Sequence, residues 1–351
     1  MISDFSDKHL IFIISQPRAG STMLQRILGN HSQIHTVAEP WILLHPLYAL
    51  RHRGHWAEYN TGLAHNASKI FIDSLPEGEN DYFLGLRRMF LYMYERAISQ
   101  TNKTFFLDKT PRYYLIIQEL LKLFPNAHFI FLLRNPLSVL SSVLRTWRKK
   151  ISLFLLSEDK YDLISAPKLI LKGIGIAKNN CIVVSYERIV NNPDETISMI
   201  CEYLGVDYEP SMINLNTHHQ TIWKHGDKTG INLYSQPVEF NTNRWIKSID
   251  NPQTWRLSKD YLHLLGADTI NKMGYSYQEL SEILENHKPN IIRSFFTLPL
   301  GLLVNLLNIA ERGDSFERGI TWFIRSISKQ GLTNTIVDFR QKIQSNALNQ
   351  E

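Results

Sequence analysis

Four short apolar runs, at residues 10–14, 104–107, 127–133 and 182–185, constrain this chain more than any other feature. Each is rich in β-branched or aromatic residues and does not alternate with polar ones, so each predicts a strand buried on both faces. Each is followed by a polar turn and then by apolar residues at helical spacing, at 23–28, 113–123, 136–148 and 193–204. Strands that alternate with helices in this way predict βαβ units. The expected fold is therefore α/β, a P-loop-like three-layer arrangement with a central, mainly parallel sheet flanked by helices. In such units the crossovers are right-handed and ligands bind at the carboxyl ends of the strands. Further helices are predicted over 83–98 and 252–273. Residues 210–250 show little periodicity, and a loop of that length in a compact domain is usually functional. The polar stretch 286–290 is the expected linker between an α/β domain at 1–285 and a C-terminal helical extension at 291–351.

Composition narrows the ligand. Thirty-eight Lys and Arg residues against 33 Asp and Glu leave a net charge of +5. No dense basic block accompanies this excess, so it favours an anionic small molecule over nucleic acid. Cys181 and Cys201 are the only cysteines, which excludes a disulfide framework; both are expected as core residues in a reducing compartment, the cytoplasm. The first apolar run is too short for a signal peptide or a membrane span. The longest apolar stretch, 291–310, is interrupted by Arg293, Pro299, Gly301, Asn305 and Asn308, so the chain is expected to be soluble. Phe295, Phe296 and residues 302–309 nevertheless give the extension an apolar surface, for packing on the main domain, on a second copy or on a membrane. His218 and His219 are adjacent, not at ligand spacing, and no metal site is expected.

The chemistry-bearing residues follow the predicted strands. Between the first strand and its helix lies Gln16-Pro17-Arg18-Ala19-Gly20-Ser21-Thr22. Amides at a helix N-terminus point outward with the positive end of the helix dipole, which makes this turn an anion cradle. Gly20 permits close backbone approach, Ser21 and Thr22 add hydroxyls, and Arg18 adds charge. Arg134 ends the third strand, and Ser142 and Arg145 share one face of the helix that follows. That pairing can hold a second phosphate apart from the first.

These two segments resemble the sulfotransferase superfamily: residues 17–24 resemble its 5′-phosphosulfate loop and residues 133–143 its 3′-phosphate motif. The resemblance covers roughly residues 8–275. It implies 3′-phosphoadenylyl sulfate (PAPS) as co-substrate, held by Arg18, Ala19, Gly20, Ser21, Thr22, Met23, Arg134 and Ser142. Tyr186, Arg244 and Trp245 match positions at which the family contacts the 3′-phosphate and base. The branch it is most similar to contains tyrosylprotein, bacterial and Golgi carbohydrate sulfotransferases, and there a glutamate is the general base, a role that falls on Glu39. The cytosolic branch has a histidine after a Lys-Thr pair, whereas here Pro111 follows Lys109-Thr110. Lys109 matches the lysine that assists the leaving phosphate. His31 and His35 are competing bases, and Asp108 is expected to orient Lys109 or to cap a helix.

The implied acceptor bears a hydroxyl, on a carbohydrate, phenol, lipid or tyrosine, with residues 41–66 and 151–167 expected to wall its pocket. Two other readings compete. One is a P-loop kinase with Asp108 on magnesium, which lacks the G-x-x-x-x-G-K-[ST] pattern. The other is a non-catalytic anion-binding scaffold on the same fold.

Overall fold

A computed structural model describes residues 5–51, 57–147, 161–178, 180–215, 237, 242–249 and 251–289. The elements run β1 (Leu10–Ser15), α1 (Ser21–Gly29), β2 (Ile34–Thr36), α2 (Leu44–Tyr48), α3 (Thr61–Asp73), α4 (Glu79–Ile98), β3 (Phe105–Asp108) and α5 (Ile117–Leu123). They continue with β4 (His128–Leu133), α6 (Pro136–Trp147), α7 (Ala166–Ala177), β5 (Cys181–Ser185), α8 (Tyr186–Asn191) and α9 (Pro193–Leu204). Last come α10 (Pro252–Leu265), α11 (Ala267–Lys272) and α12 (Tyr277–Asn286).

The strands form one parallel sheet in the order β2-β3-β1-β4-β5. All six residues of β1 are buried, because it is the central strand with helices over both faces. Alternate side chains divide between two cores. Leu10, Phe12 and Ile14 pack with Phe90, Tyr94, Ile117 and Ile170 from α4, α5 and α7. Ile11 and Ile13 pack with Leu24, Ile27, Ile197 and Ile200 from α1 and α9. The ring of Phe12 stacks on Phe129 at 5.4 Å and on Phe124 at 5.5 Å, which ties β1 to β4 and to the end of α5. The three-layer α/β architecture is thus present, with five strands instead of four.

The strand order locates the site. The connection leaving β1 runs through α1 to β2 on one side of the sheet, and the connection leaving β4 runs to β5 on the other. β1 and β4 are neighbours whose connections diverge, and the crevice between such carboxyl ends is where open α/β sheets bind ligands. Ser15 pairs with Leu132 at the last rungs, so the turn after β1 and Arg134 after β4 face each other across that crevice.

Several sequence expectations shift. β2 was not anticipated: it has three residues, only Ile34 is buried, and so short an edge strand leaves no pattern. The helix expected over 252–273 is broken at Gly266, whose φ of +79° ends α10 and restarts the chain as α11. The helix expected over 113–123 opens with a 3-10 turn, Tyr113–Ile116. Cys201 is buried in the core as expected, but Cys181 is only half-buried at the sheet edge. Among the described residues no helix is long and apolar enough to cross a membrane. Residues 291–351, most of 210–250, and 151–160 lie outside the described residues, so the helical extension and much of the expected acceptor wall do too. Within that wall, Asp162 and Leu163 are buried in a π-helical turn that leads into α7.

Candidate active site

The turn after β1 is shaped by two residues in the left-handed backbone region, Arg18 (φ +71°) and Gly20 (φ +98°). Glycine is required at 20 for a second reason: a Cβ there would overlap the ring of Tyr186. The N–H of Ala19 closes the turn on Gln16 O at 3.0 Å, and the N–H of Met23 bonds Gly20 O at 3.0 Å. Ala19 and Met23 therefore offer no free amide to a ligand, contrary to the sequence expectation for the whole loop. Among the described residues, the N–H groups of Gly20, Ser21 and Thr22 donate to no protein acceptor. They open the α1 helix, where unpaired donors and the helix dipole favour an anion.

Tyr186, at the start of α8, couples this cradle to Arg134. The Arg134 guanidinium lies 3.9 Å from the centroid of the Tyr186 ring, and Nη1 donates to Arg18 O at 3.0 Å. Tyr186 thus sits between Gly20 and Arg134 as a spacer, a packing role that its sequence position alone did not reveal. Asn135 caps α6 by accepting from Leu137 N (2.9 Å) and Ser138 N (3.3 Å), which turns the chain sharply after Arg134. Burial pulls the proton affinity of Arg134 below its ordinary value, with Tyr186 and Glu187 opposing. The buried Nε of Arg134 has no hydrogen-bond partner, and a buried donor left unpaired is costly. Arg18 reaches across to α6, where Nε donates to Ser142 Oγ (3.2 Å) and Nη2 to Thr146 Oγ1 (3.1 Å). Ser142 is buried, while Arg145, expected on the same face, is exposed. Trp245 is buried and Arg244 exposed on a turn that meets α6 through a bond from Ser138 Oγ to Thr242 O (3.3 Å).

Glu39 and Lys109 meet. Lys109 Nζ donates to Glu39 Oε1 at 2.7 Å and to Thr22 Oγ1 at 3.3 Å, which brings the pair to the first turn of α1. The Lys109 side chain is 1% exposed and the Glu39 side chain 12%, so the ammonium is shut in with one carboxylate partly open to solvent. The indole N–H of Trp41 donates to the second oxygen, Glu39 Oε2, at 3.3 Å. His31 is committed elsewhere: Nε2 is 2.9 Å from Asp207 O, and Nδ1 accepts from Gln33 N at 3.0 Å. His35 packs beside Phe106 on β2 and β3.

Asp108 points away from the cradle. Its carboxylate accepts from Tyr94 (2.7 Å), Tyr113 (3.0 Å) and Thr110 (3.1 Å), all buried. Its oxygens are enclosed by these three hydroxyl donors with the Lys109 charge nearby, a setting that does not suit the magnesium role of the kinase reading. Sequence reasoning gave Thr110 and Thr146 no role and placed Trp41 only in the expected acceptor wall. For Thr146 a signal existed, because it follows Ser142 at i+4; for the bond from Trp41 to Glu39 none did.

A parallel α/β sheet with unpaired helix N-terminal amides and a buried Lys–Glu pair at its diverging carboxyl ends is an arrangement suited to an anionic ligand. Residues 11–210 match the model of the sulfotransferase family, and the chain belongs to that family and is a transferase. The nodulation protein NoeE of Sinorhizobium fredii is similar at 28% identity over 305 residues, covering 78% of this chain and 68% of that protein. Protein-tyrosine sulfotransferase 2 of Gallus gallus is similar at 24% over 309 residues, covering 87% of this chain and 76% of that one. Among solved structures, the sulfotransferase domain from the Synechococcus PCC 7002 olefin synthase is similar at 22% identity with a TM-score of 0.46, covering 78% of this chain and 95% of that one.

The environment of Asp108 has a measurable consequence. Burial pushes its carboxyl up from 3.8 to about 6, and the hydroxyl bonds only partly oppose this. The unfolded chain loses this proton first as pH rises, so the Asp108 contribution to stability declines between about pH 4 and pH 6 and then levels off. A shift of about two units is worth about 3 kcal/mol. Denaturant titration of wild type and Asp108→Asn is expected to show their stability difference moving in favour of the variant by about that much between pH 4 and pH 7. A gap that does not change with pH contradicts a buried, proton-retaining carboxyl.

Proposed function

We propose that this chain transfers a sulfuryl group from PAPS to an acceptor hydroxyl, with Glu39 as base and Lys109 at the leaving phosphate. The observation that carries the reading is the 2.7 Å Lys109–Glu39 pair set beside Thr22 at the mouth of the cradle. The residues present suit the donor. The unpaired N–H groups of Gly20, Ser21 and Thr22 would hold its 5′ end, and the unpartnered Nε of Arg134, with Ser142 and Arg18, its 3′-phosphate. Tyr186, Arg244 and Trp245 remain assigned to the nucleotide on resemblance alone. When bound, PAPS supplies the sulfuryl group and a phosphate leaving group.

The pair then divides the work. Glu39 takes the proton of the attacking hydroxyl as the new oxygen–sulfur bond forms. Neutralising that carboxylate releases the Lys109 ammonium from its partner, so its charge becomes available to the leaving oxygen as negative charge grows there. A positioned base is worth about 10²- to 10⁴-fold, and one donor to developing charge about 10²- to 10³-fold. The acceptor is a hydroxyl of the kinds named for relatives, on protein tyrosine as in Gallus gallus or on carbohydrate as in the Danio rerio carbohydrate sulfotransferase 1. Screening such acceptors with ³⁵S-labelled PAPS is the direct test.

Glu39→Gln is expected to lower transfer by about 10²- to 10⁴-fold while adenosine 3′,5′-bisphosphate binds within about threefold of wild type by calorimetry. Loss of binding together with turnover makes Glu39 a folding residue instead. Arg134→Ala is expected to weaken adenosine 3′,5′-bisphosphate by about 30-fold, a buried charge contact of about 2 kcal/mol, and adenosine 5′-phosphate far less. Equal weakening of the two nucleotides refutes the 3′-phosphate assignment.

A further inference from the structure

We propose that Trp41 is a positioning residue for the base, holding the second oxygen of Glu39 while a buried hydroxyl–carboxylate chain locks the Trp41 backbone. The inference rests on the reading of Glu39 as base and assigns the group that orients it.

Three observations converge on Trp41. Its φ is +60°, in the left-handed region that a bulky residue rarely enters. Such strain persists only where surrounding contacts over-determine it, and it collects at functional sites. The Trp41 N–H donates to Thr110 Oγ1 at 3.3 Å, and the Thr110 hydroxyl in turn donates to Asp108 Oδ1 at 3.1 Å. Because that hydroxyl spends its single hydrogen on Asp108, its lone pair is fixed towards Trp41. Asp108 is itself pinned by Tyr94 and Tyr113, so the chain of bonds ends in the rigid core beneath β3.

At the other end, the indole N–H reaches Glu39 Oε2 while Lys109 holds Oε1. A carboxylate gripped at both oxygens by donors on separate segments cannot rotate freely, and enough lone pairs remain to accept an acceptor proton. The Trp41 side chain is 37% exposed, so it stands at the solvent edge of the pair and not in the core. Burial in the core therefore does not hold the strained backbone; the bond of its N–H to Thr110 does, and the indole is left to meet Glu39. Asp108 and Thr110 thus reach Glu39 through Trp41, in addition to the charge interaction of Asp108 with Lys109.

The test uses the full chain and two separable readouts. The first is the Trp41 indole N–H resonance in ¹⁵N spectra, assigned by its absence in Trp41→Phe. At a single pH the resonance is expected to shift in Glu39→Gln relative to wild type, because a neutral amide oxygen replaces the carboxylate that accepts from it. An unchanged resonance in Glu39→Gln overturns the proposal. The second is transfer from PAPS to the probes p-nitrophenol and N-acetylglucosamine. Trp41→Phe keeps the ring and loses the donor, and is expected to lower kcat roughly tenfold at an unchanged KM for PAPS. Thr110→Val is expected to do the same and Thr110→Ser to restore the rate. Wild-type kcat in Trp41→Phe overturns the proposal. Failure of both probes with the spectral coupling intact counts against sulfuryl transfer and leaves the Trp41–Glu39 link standing.

Discussion

A lysine ammonium buried to 1% exposure is the constraint around which the site is built. Burying an unpaired charge costs far more than a fold of this size can spare, so a partner must lie within hydrogen-bond reach. Glu39 is that partner, and it comes from a segment beyond β2, some 70 residues from Lys109 in the chain. The requirement to satisfy Lys109 thus draws the Glu39 segment down onto the carboxyl end of β3 and up against Thr22. The same contact that makes the fold tolerable delivers a carboxylate and a cation to one point.

The anion cradle obeys a second constraint, the thickness of a tyrosine ring. Tyr186 lies flat enough on the first turn of α1 that only glycine fits at position 20, and its other face carries the Arg134 guanidinium. Three strands contribute, since Gly20 follows β1, Arg134 follows β4 and Tyr186 follows β5. Parallel pairing of those neighbours brings their carboxyl ends level. The distance between Gly20 and Arg134 is therefore set by the sheet and not by loop flexibility.

Much of this was legible in the sequence, and the limits have physical reasons. The four long strands announced themselves because strands buried on both faces need continuous apolar runs; β2, with one buried residue, had no such need. Gly20, Arg134 and Ser142 stood out because helix N-termini and strand ends are where local backbone geometry favours anions. Glu39 and Lys109 were each singled out by family resemblance, but their ion pair was not, since nothing local to either residue encodes it. Trp41 was beyond reach: a left-handed backbone at a tryptophan is imposed by Thr110 and Asp108 from another segment, and no propensity foretells it. The amides of Ala19 and Met23 are engaged by the turn itself, a detail that the motif did not carry.

The order of strands in the sheet also governs how the chain is made. β1 is central, yet its partners β3 and β4 end at Asp108 and Leu133, so its five apolar residues find no sheet neighbour until those segments exist. At ribosomal speeds of about 5–20 residues per second, the first of them, β3, is completed roughly 5–19 s after β1. During that interval a largely apolar strand waits without a template. Nascent chains should therefore engage holding chaperones through residues 10–15, and truncations ending before Leu133 should aggregate instead of populating a smaller folded unit.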